Sequence, residues 1–151
     1  MKGKLSFLVL FFGIFLVLPA HAKDKPKATT IDCSTDSLGA EIDNLDKSIS
    51  NVVEFTGECL GLITIEGHRD LTLLGIEGAS ISGEYVPGDF ASSVTALDVL
   101  DSKVTLQNVT INSGRYGVFC SDRSICTLRD VIVLGGHYGV AAQGQSALDI
   151  L

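Results

Sequence analysis

Val104-Thr-Leu-Gln-Asn-Val-Thr-Ile111 and, 22 residues further on, Cys126-Thr-Leu-Arg-Asp-Val-Ile-Val133 decide the fold. Laid over one another, residues 104–125 and 126–147 share Thr105 with Thr127, Leu106 with Leu128 and Val109 with Val131. Gly114 falls on Gly136, Tyr116 on Tyr138, Gly117 on Gly139, Val118 on Val140 and Ser124 on Ser146. Asn108 meets Asp130, and a further shift puts Ile150 under Leu106 and Leu128. A fixed period of this length is the mark of a stacked-repeat architecture. Within each repeat the runs Val104-Thr-Leu106, Val109-Thr-Ile111 and Val118-Phe-Cys120 alternate apolar with polar, which is strand period rather than helix period. Three short strands joined by tight corners make one coil of a solenoid. Each coil then pairs with its neighbours about 4.8 Å away, and its inward side chains stack in columns.

The pattern continues upstream with an interruption. Leu71-Thr-Leu73 and Ile76 match Val104-Thr-Leu106 and Val109 at a spacing of 33, which is one repeat plus 11 residues. The extra residues are expected at 83–93, where Pro87-Gly88 signals a turn. This stretch carries Tyr85 and Phe90, and a long loop on a repeat scaffold is where function concentrates, although a neutral surface insertion fits as well. The earliest strands are expected at 52–56 and 62–65, giving about four coils. Residues 34–46 read as a helix, with Leu38, Ile42 and Leu45 on one face and Ser34, Asp36 or Ser37 as its cap. An open solenoid end needs covering, and this helix is expected to cover it.

Residues 1–22 have a different character. They hold 15 apolar side chains, Lys2, Lys4 and no acid, and end in Ala20-His21-Ala22. This is the pattern of an export signal cleaved after Ala22. The apolar run from Leu5 to Leu18 is 14 residues, short of the roughly 20 that span a bilayer as a helix, so no stable membrane anchor is expected. Residues 23–31 read as a polar linker, and 32–151 as the repeat domain. Without the signal, nine basic residues face 18 acidic ones, a net charge of −9. Such a balance argues against a nucleic-acid partner. The expected location is secreted or periplasmic, where disulfides are permitted.

Four cysteines allow three pairings. Cys120 and Cys126 enclose five residues that can turn between two strands, and Cys33 and Cys59 flank the first globular segment. The favoured pairs are Cys33–Cys59 and Cys120–Cys126. No histidine lies at zinc-ligand spacing from them, so no metal site is expected, and no cofactor either.

Asp32-Cys-Ser, Ser37-Leu, Ile42-Asp43, Glu58-Cys59, Ile63-Thr-Ile65 and Leu71-Thr-Leu73 together resemble the opening of exported bacterial parallel β-helix proteins. Val-Thr-Leu-Gln-Asn-Val-Thr-Ile at 104–111 resembles the repeat of the pectin-lyase-like superfamily. The resemblance covers about residues 32–151 and implies an all-β fold, a right-handed parallel β-helix with a short N-terminal capping helix. It implies a relation to carbohydrate as well, since that superfamily includes polysaccharide lyases, epimerases and hydrolases beside adhesins and tailspikes. Its catalytic elements are not matched here. No pair of aspartates and no His-Gly pair repeats at 22 residues, and Asp-Pro-His-Asp is lacking. Asp98 and Asp101 with Lys103 or Arg115 are the remaining acids and bases for a lyase, provided that they converge.

Arg115-Tyr116 and His137-Tyr138 occupy one repeat phase and are expected on adjacent coils. An arginine can grip a carboxylate with two bonds, a tyrosine ring can stack on a sugar, and a histidine can exchange a proton near neutrality. These four residues form a candidate site for an acidic sugar; packing of a structural stack would produce the same identities. Asn108-Val-Thr110 has the form of a glycosylation sequon, but its place in the repeat fits a corner asparagine. His68 fits a turn. The sequence therefore points to an exported, non-catalytic carbohydrate-binding or surface module. The alternatives are a polysaccharide-acting enzyme whose site is incomplete in this chain, and a structural or adhesive surface protein. Leu148-Asp-Ile150 falls on a strand phase, so an open last coil is expected, fit for end-to-end pairing with another copy or for further coils.

Overall fold

The computed structural model describes residues 27–151. The export signal expected at 1–22 and the start of the expected linker lie outside the described residues. Fourteen strands and one helix follow the chain: β1 (Lys27–Asp32), α1 (Leu38–Asp43), β2 (Ser50–Thr56), β3 (Glu58–Leu60), β4 (Ile63–Glu66), β5 (Asp70–Gly75) and β6 (Ser80–Ser82). Then come β7 (Leu97–Leu100), β8 (Lys103–Gln107), β9 (Thr110–Asn112), β10 (Tyr116–Ser121), β11 (Ile125–Arg129), β12 (Ile132–Leu134), β13 (Tyr138–Ala142) and β14 (Ala147–Ile150). Every strand pairing is parallel, and the strands form three sheets. Sheet A runs β1-β2-β5-β8-β11-β14, sheet B runs β12-β9-β6-β3, and sheet C runs β13-β10-β7-β4. The chain is a parallel β-helix with three faces per coil and six strands stacked on its longest face.

The core consists of columns. Val53, Leu73, Leu106 and Leu128 lie in register inside sheet A, and Leu71, Val104 and Cys126 form a second column beside them. Ile63, Leu97 and Val118 line sheet C, as do Ile65, Val99 and Cys120. Cys59, Ile81 and Ile111 line sheet B. Each stacked leucine or isoleucine is removed from water on all sides, which contributes about 1.5–3 kcal/mol per side chain. Outward positions of sheet A carry Thr72, Thr105 and Thr127 in line, β-branched residues suited to a half-exposed strand.

The corners account for the rest of the repeat. Asn108 and Asp130 hold φ of 53° and 51° between sheets A and B, a left-handed conformation that asparagine and aspartate tolerate better than other side-chain-bearing residues. Between sheets C and A runs a serine ladder. The Oγ of Ser102 accepts from the His68 N–H, that of Ser124 from the Ser102 N–H, and that of Ser146 from the Ser124 N–H. Each hydroxyl donates in turn to a carbonyl of its own corner. Corner backbone at His68, Ser102 and Ser124 is satisfied in this way. Both favoured disulfides are present. Cys120–Cys126 bridges the same corner at a Cα–Cα distance of 6.6 Å, and Cys33–Cys59 ties the first coil to sheet B at 5.0 Å. Two disulfides fit an oxidising, extracellular environment. No helix among the described residues is long and apolar enough to cross a membrane.

Four expectations are corrected. Residues 27–31 are not linker: with Asp32 they form β1, which pairs with β2 from Lys27↔Asn51 to Asp32↔Thr56 and buries Ile31 over Phe55. Sheet A carries six strands where about four coils are expected, for the same reason, because β1 adds to it upstream of the strand expected at 52–56. The helix spans Leu38–Asp43 rather than 34–46. Asp32 captures the N–H groups of Ser34, Thr35 and Asp36 in a turn, so the helix starts only at Ser37, whose hydroxyl accepts from the Ala40 N–H. Leu38 and Ile42 still face inward and α1 packs against β4, covering the end of sheet C as a cap. Finally, Asp98 pairs with Phe119, 21 residues on, and not with Cys120. The corner at 122–124 holds one residue more than the one at 101–102, and Asp122 and Arg123 are both left-handed there.

Candidate functional site: the outer face of sheet C beneath the 83–96 loop

The inserted residues lie between β6 and β7, as 83–96, where the next coil needs only 113–115. The loop folds back over the outer face of sheet C. Its stem is fastened by Val94 N–H to Glu84 O at 2.7 Å and by Arg115 N–H to Val94 O at 3.1 Å. Its tip is braced internally by Ser93, whose hydroxyl accepts from the Val86 N–H and donates to Asp89 O. Gly114 sits where the stem crosses the next coil, and a Cβ there would collide with the carbonyl oxygens of Val94 and Glu84.

The tip is held by Arg115. Its Nε donates to Phe90 O at 3.2 Å, its terminal nitrogen donates to Ala91 O at 2.6 Å, and the guanidinium lies 5.0 Å from the centre of the Phe90 ring. This places Phe90 edge-on to Tyr116 and Tyr138, both at 5.9 Å, and to His137 at 5.4 Å. Tyr85 tilts against His137 at 5.1 Å. Tyr116 stacks on Tyr138 at 5.2 Å and on Phe119 at 4.8 Å. Tyr116 and Phe119 share a face because Gly117 and Val118 are buried in succession, a local break in strand alternation.

The four candidates from the sequence, Arg115, Tyr116, His137 and Tyr138, are thus brought together, but in altered roles. Tyr116 and Tyr138 are register partners whose rings stack in a column. Tyr138 is 56% exposed, Phe90 41% and Tyr85 45%. Arg115 directs two of its three guanidinium nitrogens at loop carbonyls, so the fork formed by that pair is taken up by the loop. His137 is packed between the two loop aromatics. Of the acids and bases considered for a lyase, Asp98 and Arg115 border one cleft, and Asp101 and Lys103 stand apart from it. Lys103 pairs with Asp70 at 3.0 Å on sheet A, Asp101 pairs with Arg123 at 3.3 Å at the corner, and Asp98 stands on sheet C.

Asp98 has no acidic partner at the repeat spacing, yet it lies beside the loop. It faces outward between Thr64 and Phe119 and borders an open cleft of about 300 Å³, together with Leu62, Ser92, Thr95 and Arg115. Its Oδ1 is buried and has no hydrogen-bond partner among the described residues. Burial, and secondarily the charge of Asp122, push its carboxyl above the usual aspartate range. The sequence signal was its outward phase in a strand leading directly out of the insertion. His68, expected at a turn, is a buried corner residue 2% exposed whose ring nitrogens have no partner among the described residues. Burial foremost, then the Lys47 charge, hold it below the ordinary histidine range, with Asp43 opposing. No group of three or more His, Cys, Asp or Glu side chains is placed to hold a metal among the described residues.

Comparison with protein-family models, curated proteins and solved structures gives no match for this chain.

Proposed function

We propose that this chain is an exported carbohydrate-binding module of the parallel β-helix kind, related in its coil sequence to the pectin-lyase-like superfamily and without catalytic activity. Its site is the outer face of sheet C beneath the 83–96 loop. The observation that carries this reading is the aromatic cluster that the loop completes. Phe90 and Tyr85 reach His137, Tyr116 and Tyr138 across two coils and stay partly exposed. Sugar rings present apolar C–H faces to such rings and hydroxyls to neighbouring polar groups, and aromatic side chains supply large contact area at low entropic cost. The non-catalytic part rests on the cleft itself. Glycoside cleavage by two carboxyl groups needs an opposed pair, and Asp98 is the one carboxylate among the residues that line it. Export fits the amino-terminal segment and the two disulfides.

Glycan-array binding of the mature chain, with Tyr138→Ala and Phe90→Ala as controls, tests the reading. Binding that falls at least tenfold in both variants, with no release of reducing ends or unsaturated products from the bound polymer, is the expected result. Turnover would overturn the non-catalytic half, and absence of binding to any glycan would overturn the whole.

A second reading, self-association, has an observation of its own. Among the described residues β12, β13 and β14 are unpaired on one side, and Ile132, Leu134 and Ile150 are 57%, 52% and 68% exposed. Residues 130–151 contain neither lysine nor proline, the residues that usually blunt such an edge. Light scattering behind size exclusion should show a concentration-dependent dimer or larger species if the edges pair; a monomer throughout rejects this reading.

A further inference from the structure

We infer that the Asp98 cleft takes a sugar unit bearing a cationic amine, a hexosamine with its amino group free. This deepens the carbohydrate reading and rests on it. The electrostatics of the cleft carry it. Asp98 presents a carboxyl oxygen, Oδ1, that is buried and unpartnered among the described residues, in a cleft bordered by hydroxyl-bearing Ser92 and Thr95 and apolar Leu62. A buried acceptor without a donor is unfavourable on its own and is satisfied by a ligand that brings one.

Among the described residues no cation is paired with Asp98. Arg115 borders the same cleft, but its Nε and terminal nitrogen are directed to Phe90 O and Ala91 O. The ion pairs found among the described residues join Lys103 to Asp70 and Arg123 to Asp101, and neither involves Asp98. The charge that acts on Asp98 is that of Asp122, another acid. The site is therefore short of one positive charge. An ammonium group pairs with the Asp98 carboxylate and relieves the repulsion from Asp122, whereas an N-acetyl group supplies a donor without the charge. A uronate brings a second negative charge to a chain that is already strongly acidic. Like charges brought together in a partly desolvated cleft oppose binding. The aromatic cluster lies next to the cleft, since Phe119 is the register partner of Asp98 and Arg115 precedes Tyr116. One sugar unit can hold its amine at Asp98 while a neighbouring unit contacts the rings.

Isothermal titration of the mature chain with oligomers of glucosamine, N-acetylglucosamine and galacturonate, repeated with Asp98→Asn, decides the matter. Glucosamine oligomers should bind at least tenfold tighter than the other two, and Asp98→Asn should erase that preference while leaving the circular dichroism spectrum unchanged. Equal affinity for glucosamine and N-acetylglucosamine oligomers, tighter binding of galacturonate, or an unchanged preference in the variant overturns the inference and leaves the carbohydrate reading standing. Binding of none of the three, together with an empty glycan array, overturns both. Should Asp98→Asn not fold, the salt dependence of the native chain takes its place. Affinity for glucosamine oligomers should fall from 20 to about 300 mM salt while that for the neutral oligomer holds, as expected for a screened ion pair; equal behaviour of the two overturns the inference.

Discussion

Replacing Arg115 with alanine should free the tip of the 83–96 loop and leave the coils intact. The side chain makes two hydrogen bonds to loop carbonyls, at 3.2 and 2.6 Å, and lies over Phe90 at 5.0 Å. Hydrogen bonds from a charged donor contribute about 1.5–3 kcal/mol each, and partial exposure brings these to roughly 1 kcal/mol each. A guanidinium over an exposed ring adds about 0.5–1 kcal/mol. The loop tip should therefore lose about 2–3 kcal/mol of docking energy, while its stem keeps the Val94–Glu84 and Arg115–Val94 backbone bonds. Local opening of that size accelerates amide exchange about 30- to 160-fold. Exchange measured by NMR should show this at Ala91 and Ser92, whose N–H groups donate to Asp89 Oδ1, with the β8 and β11 amides unaltered. Arg115→Lys should not restore protection, since one ammonium cannot reproduce a planar fork aimed at two carbonyls. Unchanged exchange at the tip would refute the clamp. Acceleration spread evenly through β8 and β11 would refute it as well, because it would make Arg115 a support of the solenoid rather than of the loop.

Three other outcomes follow from the same geometry. Gly114→Ala should cost about 1–3 kcal/mol in urea unfolding, because the new methyl meets the Val94 and Glu84 carbonyls at the loop stem; a loss below about 0.5 kcal/mol would mean that the stem yields. Leu106→Ala should cost about 2–5 kcal/mol, since it empties one place in a column closed above and below by Leu73 and Leu128. His68 is held below its ordinary range, so the folded chain resists its protonation. The associated stability is present above about pH 6.5, the unfolded value, and is lost as pH falls, at up to about 1.4 kcal/mol per pH unit. Urea midpoints between pH 7.5 and 5 should fall more steeply for the native chain than for His68→Leu, and parallel curves would reject that role.

The coils were readable because their physics is periodic. Leu106 and Leu128 share a column, and Asn108 and Asp130 share a left-handed corner, so one constraint recurs every 22 residues and leaves its trace in the letters. Where the constraint does not recur, the trace fades. β1 carries no repeat signature because Ala28-Thr-Thr-Ile31 puts Thr29 with Ile31 on the inward phase and Ala28 outside, so apolar and polar residues do not alternate there. The late start of the helix is set by Asp32, whose turn takes up the N–H groups of Ser34, Thr35 and Asp36, a local competition that apolar spacing does not register. Ser124 and Ser146 were visible as an identity. Their role needed the register, which shows each hydroxyl capping the backbone one coil back.

The site divides along the same line. Arg115, Tyr116, His137 and Tyr138 were legible as one phase of adjacent coils, and they do meet. The direction of the Arg115 side chain was not legible, because its partners are backbone carbonyls of a loop that interrupts the repeat. That direction changes the chemistry expected of the face. An arginine free to point outward would make it a receptor for acids. An arginine turned into the loop leaves Asp98 as the unbalanced charge, with Oδ1 buried and without a donor among the described residues. Two hydrogen bonds to Phe90 and Ala91 thus aim Arg115 at the loop and away from Asp98, and under the proposed function the insertion would tune which sugars the face accepts without contributing a charged side chain of its own to the cleft.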